Sequence, residues 1–359
     1  MDRLIAAMNT HNVDALALIP GPNLRYLTGL DYHLMERPII GLYHKQVDPV
    51  FVIPTLEQDR VPEGAAVFTY ADGTDPAHAV REAVASLPEV QRLGVEYRRM
   101  RVLELKLLQQ RLPVSFVVDA EPVMAELRRV KTAEEIDHTR SAVSISEAAL
   151  EAVITELKPG MTERDVAFQL MAAQVERSGG GMPFSPIVLF GERTPLPHGM
   201  PSNRTLQHSD PILIDFGTSV NGYMSDITRC FFFGEPDAKA REVYEVVLAA
   251  NTAGREAAGP GVPAQDVDRA ARQVIEEAGY GEYFIHRTGH GLGIDAHEEP
   301  YIVEGNSQHL EPGMCFTVEP GIYIPGEIGI RIEDDLIITG EGAESLSTFP
   351  REIRVLNGA

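Results

Sequence analysis

The chain has 359 residues, 44% of them hydrophobic and 23% charged, with 53 acidic residues against 31 basic ones and a formal net charge of −22. A chain of this length divides into two domains, each large enough to bury its own core. The excess of negative charge repels polyanions, which excludes nucleic acid and anionic membrane as partners.

The stretch from Met1 to Pro20 is interrupted by Asp2, Arg3, Asn9, His11 and Asp14, so it lacks the apolar run of a signal peptide, and no later run is long enough to span a bilayer. Short β-rich runs follow at Ala15 to Ile19, Ile39 to Tyr43, Val50 to Ile53, Ala66 to Tyr70 and Val114 to Val118, alternating with helical stretches near Pro76 to Leu87 and Arg99 to Arg111. That alternation predicts a small α/β domain. The pattern changes between Glu121 and Thr132, where a long amphipathic helix begins. Thr132 is its N-cap, Glu135 completes a capping box, and Ile136, Val143 and Leu150 are its spaced apolar positions. The expected class is α+β, with domains at 1–124 and 125–359.

The second domain carries a weak internal repeat. Pro159, Gly160, Met161, Asp165 and Val166 match Pro260, Gly261, Val262, Asp266 and Val267 at an offset of 101, each set opening a helix, and the run Ile212 to Gly217 resembles Phe316 to Gly321 at an offset of 104. The match predicts two related halves, although such punctuation is common enough to arise by chance. Cys230 and Cys315 each lie among apolar residues that read as strand, which fits buried thiols in a reducing, cytoplasmic compartment.

Between Ile212 and Phe233, two β-rich runs flank Asn221-Gly222, a dipeptide preferred in two-residue hairpin turns. Pairing Val220 with Tyr223 gives cross-strand partners whose numbers add to 443, so Asp226 lies opposite Gly217 and Asp215 opposite Thr228. The two aspartates then share a face as diagonal neighbours, roughly 7–8 Å apart at the backbone. Like charges that close are costly unless a cation sits between them. His290 lies in Thr288-Gly-His-Gly-Leu-Gly293, where glycines let backbone and imidazole approach a ligand. Glu319 follows a strand-like run, and Glu333 lies within the strand-like Gly329 to Ile338; an acid there is expensive to bury unless ligated or paired. For Glu333 the alternative is a salt bridge to Arg331, two residues away on the same strand face. Four carboxylates and one imidazole are a mostly hard donor set with too many charges for one ion. The set suits two divalent ions of the manganese, cobalt, zinc or ferrous type, with identity set by availability as much as by ligands.

With these residues in place, the sequence resembles the metallopeptidases of the methionine aminopeptidase and prolidase group. The resemblance rests on His198-Gly-Met-Pro-Ser, Asp215 and Asp226 eleven apart, Gly-His-Gly at His290, Glu-Pro-Gly at Glu319 and Arg331-Ile-Glu-Asp334, and runs over about Lys131 to Leu356. It implies a pita-bread catalytic fold, two pseudo-symmetric αβ halves around the metals, preceded by the extra domain of the prolidase, aminopeptidase P and creatinase branch. It also implies that Asp226 and Glu333 bridge the ions, that Asp215 completes one site, and that His290 and Glu319 complete the other, with Glu319 carrying the proton of an attacking water. His198 and His297 match residues that contact substrate, His286 matches one lining the pocket, and Arg331 and Tyr323 match positions beside the metals. Relatives commonly form homodimers. Creatinase, which departs from this ligand set, and a binding module that has lost catalysis are rivals, and neither fits five retained ligand positions.

The implied substrates are small peptides with proline in second place, cleaved by an Xaa-Pro dipeptidase or, alternatively, an Xaa-Pro aminopeptidase acting on longer chains. A dipeptidase needs a cation for the substrate's free carboxylate. Many prolidases place an arginine four residues beyond the position of His297, where this chain has Tyr301; His198 and Arg37 are the substitutes the sequence offers. The run Glu319-Pro-Gly-Ile-Tyr-Ile-Pro325 looks most like short microbial prolidases and favours the dipeptidase.

Overall fold

The computed structural model describes residues 1–112, 117–178 and 182–356. Its contacts divide the chain into two compact units, Met1–Arg128 and Arg129–Ala359. In the first, strands β1 (Ala15–Leu18), β2 (Ile40–His44), β3 (Val47–Pro54), β4 (Ala66–Tyr70), β5 (Leu93–Val95) and β6 (Val117–Asp119) form a mixed sheet of order β4-β3-β2-β1-β5-β6. Helices α1 (Asp2–Thr10), α2 (Pro22–Thr28), α3 (Ala77–Ala85), α4 (Val102–Gln109) and α5 (Glu121–Arg128) cover it. The period-two alternation of the strands decides which helices pack where. Ala15, Ala17, Ile40, Leu42, Val50 and Val52 face Val80, Ala83 and Val84 of α3 and Leu107 and Leu108 of α4. Leu16, Leu18, Tyr43, Phe51 and Ile53 face Leu4, Ala7 and Met8 of α1 and Val123, Met124 and Leu127 of α5. With both faces covered, the strands read as unbroken apolar runs.

The α/β expectation for this unit agrees with the structure, but α1, α2, β5 and α5 were not among the predicted elements. They are short, and their apolar positions acquire meaning only against the sheet. The run expected at Val114 to Val118 lies partly outside the described residues; its described end belongs to β6. Arg37, offered as a ligand for a substrate carboxylate, gives its Nε to Asp72 Oδ1 at 2.7 Å and lies 3.1 Å from Glu36.

The second unit opens with α6 (Ala133–Ile154), capped as the sequence predicts: the Thr132 side chain accepts from the Glu135 amide while Glu135 accepts from the Thr132 amide. Then come α7 (Glu163–Ser178), β7 (Ile187–Phe190), β8 (Pro211–Phe216), the ribbon β9 (Ser219–Val220) and β10 (Tyr223–Met224), and β11 (Ile227–Phe233). Next are α8 (Ala238–Ala257), α9 (Ala264–Glu277), β12 (Gly289–Gly291), β13 (Glu298–Ile302) and β14 (Cys315–Val318). The ribbon β15 (Gly321–Ile324) and β16 (Ile328–Arg331), then β17 (Asp334–Ile338), β18 (Ala343–Ser345) and β19 (Val355–Leu356), complete it. Two sheets result, β19-β11-β8-β7 and β13-β12-β14-β17-β18.

The internal repeat is structural. Each half supplies two helices, a strand ending near an acid, a short ribbon, and a returning strand. In the first half every pair from Pro211↔Phe232 to Val220↔Tyr223 adds to 443, the predicted register. In the second, every pair from Cys315↔Ile337 to Ile324↔Ile328 adds to 652, which sets Glu319 opposite Glu333. One expectation needs correction: Gly329 to Ile338 is not a single strand. It changes partner at Ile332-Glu333, where β16 leaves the β15 ribbon and β17 joins the β14 sheet, and this break presents the Glu333 side chain. Asn251 of α8 braces the arrangement by donating to the carbonyls of Val318 (2.9 Å) and Ile332 (3.2 Å), the residues preceding Glu319 and Glu333. Cys230 and Cys315 are buried, free thiols in β11 and β14.

Thr132→Ala should lower the unfolding free energy by about 1 kcal/mol, the usual cost of a lost N-cap, read as a drop in the thermal midpoint with metal content unchanged. No measurable drop would show that tertiary packing alone holds the start of α6.

Candidate metal centre and active site

The functional side chains stand at strand ends and sheet junctions. Asp215 ends β8, Asp226 precedes β11, His290 centres β12, Glu319 follows β14 and Glu333 separates β16 from β17. Ligand atoms of Asp226, His290 and Glu333 all lie within 4.8 Å of one another, and these residues are buried. His290 Nε2 is 3.9 Å from Asp226 Oδ2 and 3.3 Å from Glu319 Oε1. Asp215 joins the group through Arg331, whose Nη2 donates to its Oδ2.

The glycines around His290 have a steric cause. β12 is threaded between β13 and β14, so a Cβ at Gly289 would lie 1.9 Å from the Thr317 carbonyl oxygen and one at Gly291 would lie 2.3 Å from that of Glu299. Thr317 accepts from the His290 amide at 3.2 Å, and the His290 imidazole is left facing the carboxylates.

Arg331 does not pair with Glu333, the sequence alternative. Its Nη1 donates to Tyr323 Oη at 2.7 Å and its Nε to Thr228 Oγ1 at 3.0 Å, while Thr228 donates in turn to Glu333 Oε2 at 2.6 Å. Thr228 therefore stands between the two charges. Tyr323 Oη also lies 2.8 Å from His286 Nε2. The His297 ring packs against that of His290, with centroids 4.0 Å apart, and remains exposed on its outer side. His198 is exposed, with the preceding Pro197 carbonyl accepting from Arg331 at 3.3 Å. Tyr301 lies on β13 with the Arg287 guanidinium over its ring.

Burial, then repulsion from Glu333 and Asp215, drives the Asp226 carboxyl well above its ordinary value; burial, then Glu319 and Asp215, does the same to Glu333. Asp215 is raised by burial despite Arg331. Glu319 goes the other way: burial pushes it up, but the hydrogen bond and charge of His290, with help from His286 and Arg331, hold it at about 2. Burial, then the neighbouring His290, lowers His297 to about 4. A cluster that resists its own ionisation is one that lacks a counter-charge. Among the described residues Asp226 Oδ1 is buried without a hydrogen-bond partner, as expected of an atom reserved for a cation.

Sequence reasoning missed several supports. Asp335 Oδ2 accepts from the Asp226 amide at 3.0 Å, and Arg229 donates to the Glu333 carbonyl at 2.5 Å and to Asp334 Oδ1 at 2.7 Å. The signal for Thr228 was available: the predicted register already set it opposite Asp215.

A two-halved αβ unit whose strand ends converge four carboxylates and one imidazole defines a metallohydrolase. Residues 137–340 match the model of metallopeptidase family M24, and residues 1–130 match that of the creatinase/prolidase N-terminal domain. An uncharacterized peptidase of Staphylococcus aureus is 35% identical over 98% of this chain and 99% of its own length. Among solved structures, a dipeptidase from Pyrococcus horikoshii superposes with a TM-score of 0.92 at 37% identity, covering 99% of both chains. An Xaa-Pro dipeptidase from Bacillus anthracis gives 0.89 at 32% identity, covering 99% of this chain and 98% of its own. The chain belongs to metallopeptidase family M24, in its branch with a creatinase/prolidase N-terminal domain, and is a metal-dependent peptidase with the pita-bread fold.

The raised carboxylates carry a signed prediction. Their folded pKa values exceed the unfolded ones, so the folded metal-free protein keeps protons that the unfolded chain releases. The cost of the cluster is absent in acid and grows as pH rises through the unfolded carboxylate range. At about pH 7.5, metal-free Asp226→Asn should therefore melt above the metal-free parent, with the advantage shrinking toward about pH 4. Added manganese should stabilise the parent and leave the variant nearly unmoved. A metal-free variant melting below the parent at neutral pH would contradict this account of the site.

Proposed function

We propose that this protein hydrolyses Xaa-Pro dipeptides with two divalent ions of the manganese or cobalt type. The reading rests on one observation above all: Asp226, Glu333 and His290 offer ligand atoms within 4.8 Å of one another, with Glu319 beside His290, and Asp226 Oδ1 is buried with no hydrogen-bond partner among the described residues. Asp226 and Glu333 would be shared between the ions, Asp215 would serve one, and His290 and Glu319 the other. Bound there, the ions supply the positive charge that polarises a peptide carbonyl and makes water acidic. Glu319, ionised at working pH, takes the proton of the attacking water at its carboxylate and returns it to the departing proline nitrogen. His297, neutral at working pH because burial and His290 depress it, offers a hydrogen bond to substrate without adding charge. Arg331 orients Asp215 and, through Tyr323, fixes the ring of His286. His198, exposed and next to Pro197, whose carbonyl accepts from Arg331, would serve as a substrate contact.

Proline selectivity is supported by the printed name of the Bacillus anthracis neighbour, and dipeptide length by the names of both structural neighbours above. Two buried free thiols suit a reducing cytoplasm, and no described helix is long and apolar enough to cross a membrane. A homodimer is the assembly carried over from the family resemblance.

Activity should disappear on chelation and return with manganese or cobalt, and an Xaa-Pro dipeptide should be cleaved with higher kcat/KM than the matching tripeptide. Higher efficiency on the tripeptide would make the protein an Xaa-Pro aminopeptidase. Full activity in metal-stripped protein would defeat the metal-dependent reading altogether. Below about pH 5, activity and bound metal should decline together, since His290 must be neutral and the carboxylates ionised to hold the ions.

A further inference from the structure

Three guanidinium groups converge on one carboxylate at the C-terminal end of α8. Asp334, the first residue of β17, is buried; its Oδ1 accepts from Arg229 Nη2 at 2.7 Å and its Oδ2 from Arg255 Nη1 at 3.0 Å. Arg351 brings the third, with its Nε 3.9 Å from the same Oδ2, too far for a hydrogen bond. Three cations against one anion leave an excess of two positive charges, in a chain that carries 53 acidic residues against 31 basic ones. A single buried acid does not need that much company.

The excess faces a cleft. Arg255 and Arg351 line an open hollow of about 370 Å³ between the end of α8, the hairpin of β17 and β18, and the segment before β19. That volume falls in the lower range of small-molecule sites. Ala258, Leu336 and Ala343 give the hollow an apolar wall, and exposed Glu256 is the one acid lining it among the described residues. Glu352, next to Arg351, gives its carboxylate to the Arg351 amide at 3.2 Å. Arg351 Nη1 donates to Asn251 Oδ1 at 2.6 Å and to Thr252 Oγ1 at 3.1 Å, which fixes the guanidinium without neutralising it. Among the described residues Arg255 Nε and Nη2 and Arg351 Nη2 have no acceptor, and the two side chains are 24% and 23% exposed. Burial, then the charge of Arg255, pulls the Arg351 guanidinium below its ordinary value, the mark of like charges held together without enough anion between them.

We propose that Arg255 and Arg351 bind a phosphate group in this cleft, either as the free ion or as the monoester of a small molecule. A phosphate group carries a charge of about −1.5 to −2 at pH 7, which meets the excess of two, whereas a carboxylate would answer half of it. Its oxygens also accept the paired N–H bonds that a guanidinium fork presents. The apolar wall and the volume favour the monoester, whose organic part would cover Ala258 and Leu336. No candidate metal ligand lines the cleft, so the site is separate from the catalytic one.

The test titrates adenosine monophosphate and inorganic phosphate into the full chain by calorimetry, with and without manganese. The proteins are the parent, Arg255→Met, Arg351→Met, Arg255→Lys and Arg351→Lys, with a thermal midpoint recorded for each. Both titrants should bind the parent in either metal state, and adenosine should not bind. Each methionine substitution should weaken binding by roughly 10-fold or more, the effect of losing a charge-assisted pair. Each lysine substitution should weaken it less but measurably, because the charge stays and the fork is lost; it carries the test if a methionine variant does not fold. Tighter binding of adenosine monophosphate than of phosphate assigns the monoester, and equal affinity assigns the free ion. A parent that binds neither, or affinities that no substitution changes, would overturn the proposal. Binding that vanishes when metal is stripped would overturn it too, by placing the phosphate on the metal ions.

Discussion

The catalytic unit is organised around a repulsion. Asp215, Asp226, Glu319 and Glu333 are carried into one largely buried region, where the cost of removing each charge from water adds to the cost of facing the others. The protein's own cations answer only part of that cost: Arg331 serves Asp215, and His290 holds Glu319 ionised. Burial and repulsion among the carboxylates hold Asp226 and Glu333 well above the ordinary carboxylate range. Divalent cations bound there would relieve the remainder, and the cluster, electrostatically incomplete as protein, would be completed by them.

Much of the surrounding structure keeps these groups from relieving their repulsion by moving apart. The two halves use the same device, a strand and its return held in one continuous register through a short ribbon, and the acids sit where the chain passes between sheet and ribbon. Asn251 ties the backbone before Glu319 to the backbone before Glu333. Asp335 and Arg229, through the Asp226 amide and the Glu333 carbonyl, fix the backbone rather than the carboxylates and leave the ligand oxygens free. Rigid placement on strands suits catalysis that depends on positions held to a fraction of an ångström.

How legible the site was varied with the range of the signal. Asn221-Gly222 fixes a hairpin, and a hairpin fixes register, so the placing of Asp215 against Thr228 could be read from a few adjacent residues and is what the structure shows. The Thr132 capping box is equally local. The partner of Arg331 was not legible, because it depends on whether Asp215 or Glu333 lies nearer across two sheets, and sequence spacing offered only Glu333, as the alternative to its ligating a metal. The continuous strand expected at Gly329 to Ile338 failed for a related reason: its residues have uniform strand character, and only the exchange of partners at Ile332-Glu333 breaks it.

By itself the sequence determined the family of the chain, the two-part division and the hairpin register, because each is written in residues close together or in motifs of fixed spacing. Tertiary structure alone decided which charges meet. It turned Arg331 toward Asp215, inserted Thr228 between Arg331 and Glu333, and bound Arg37 to Asp72. Those outcomes depend on distances between segments far apart along the chain, and Coulomb energy and desolvation act on distance in space, which no local pattern of residues encodes.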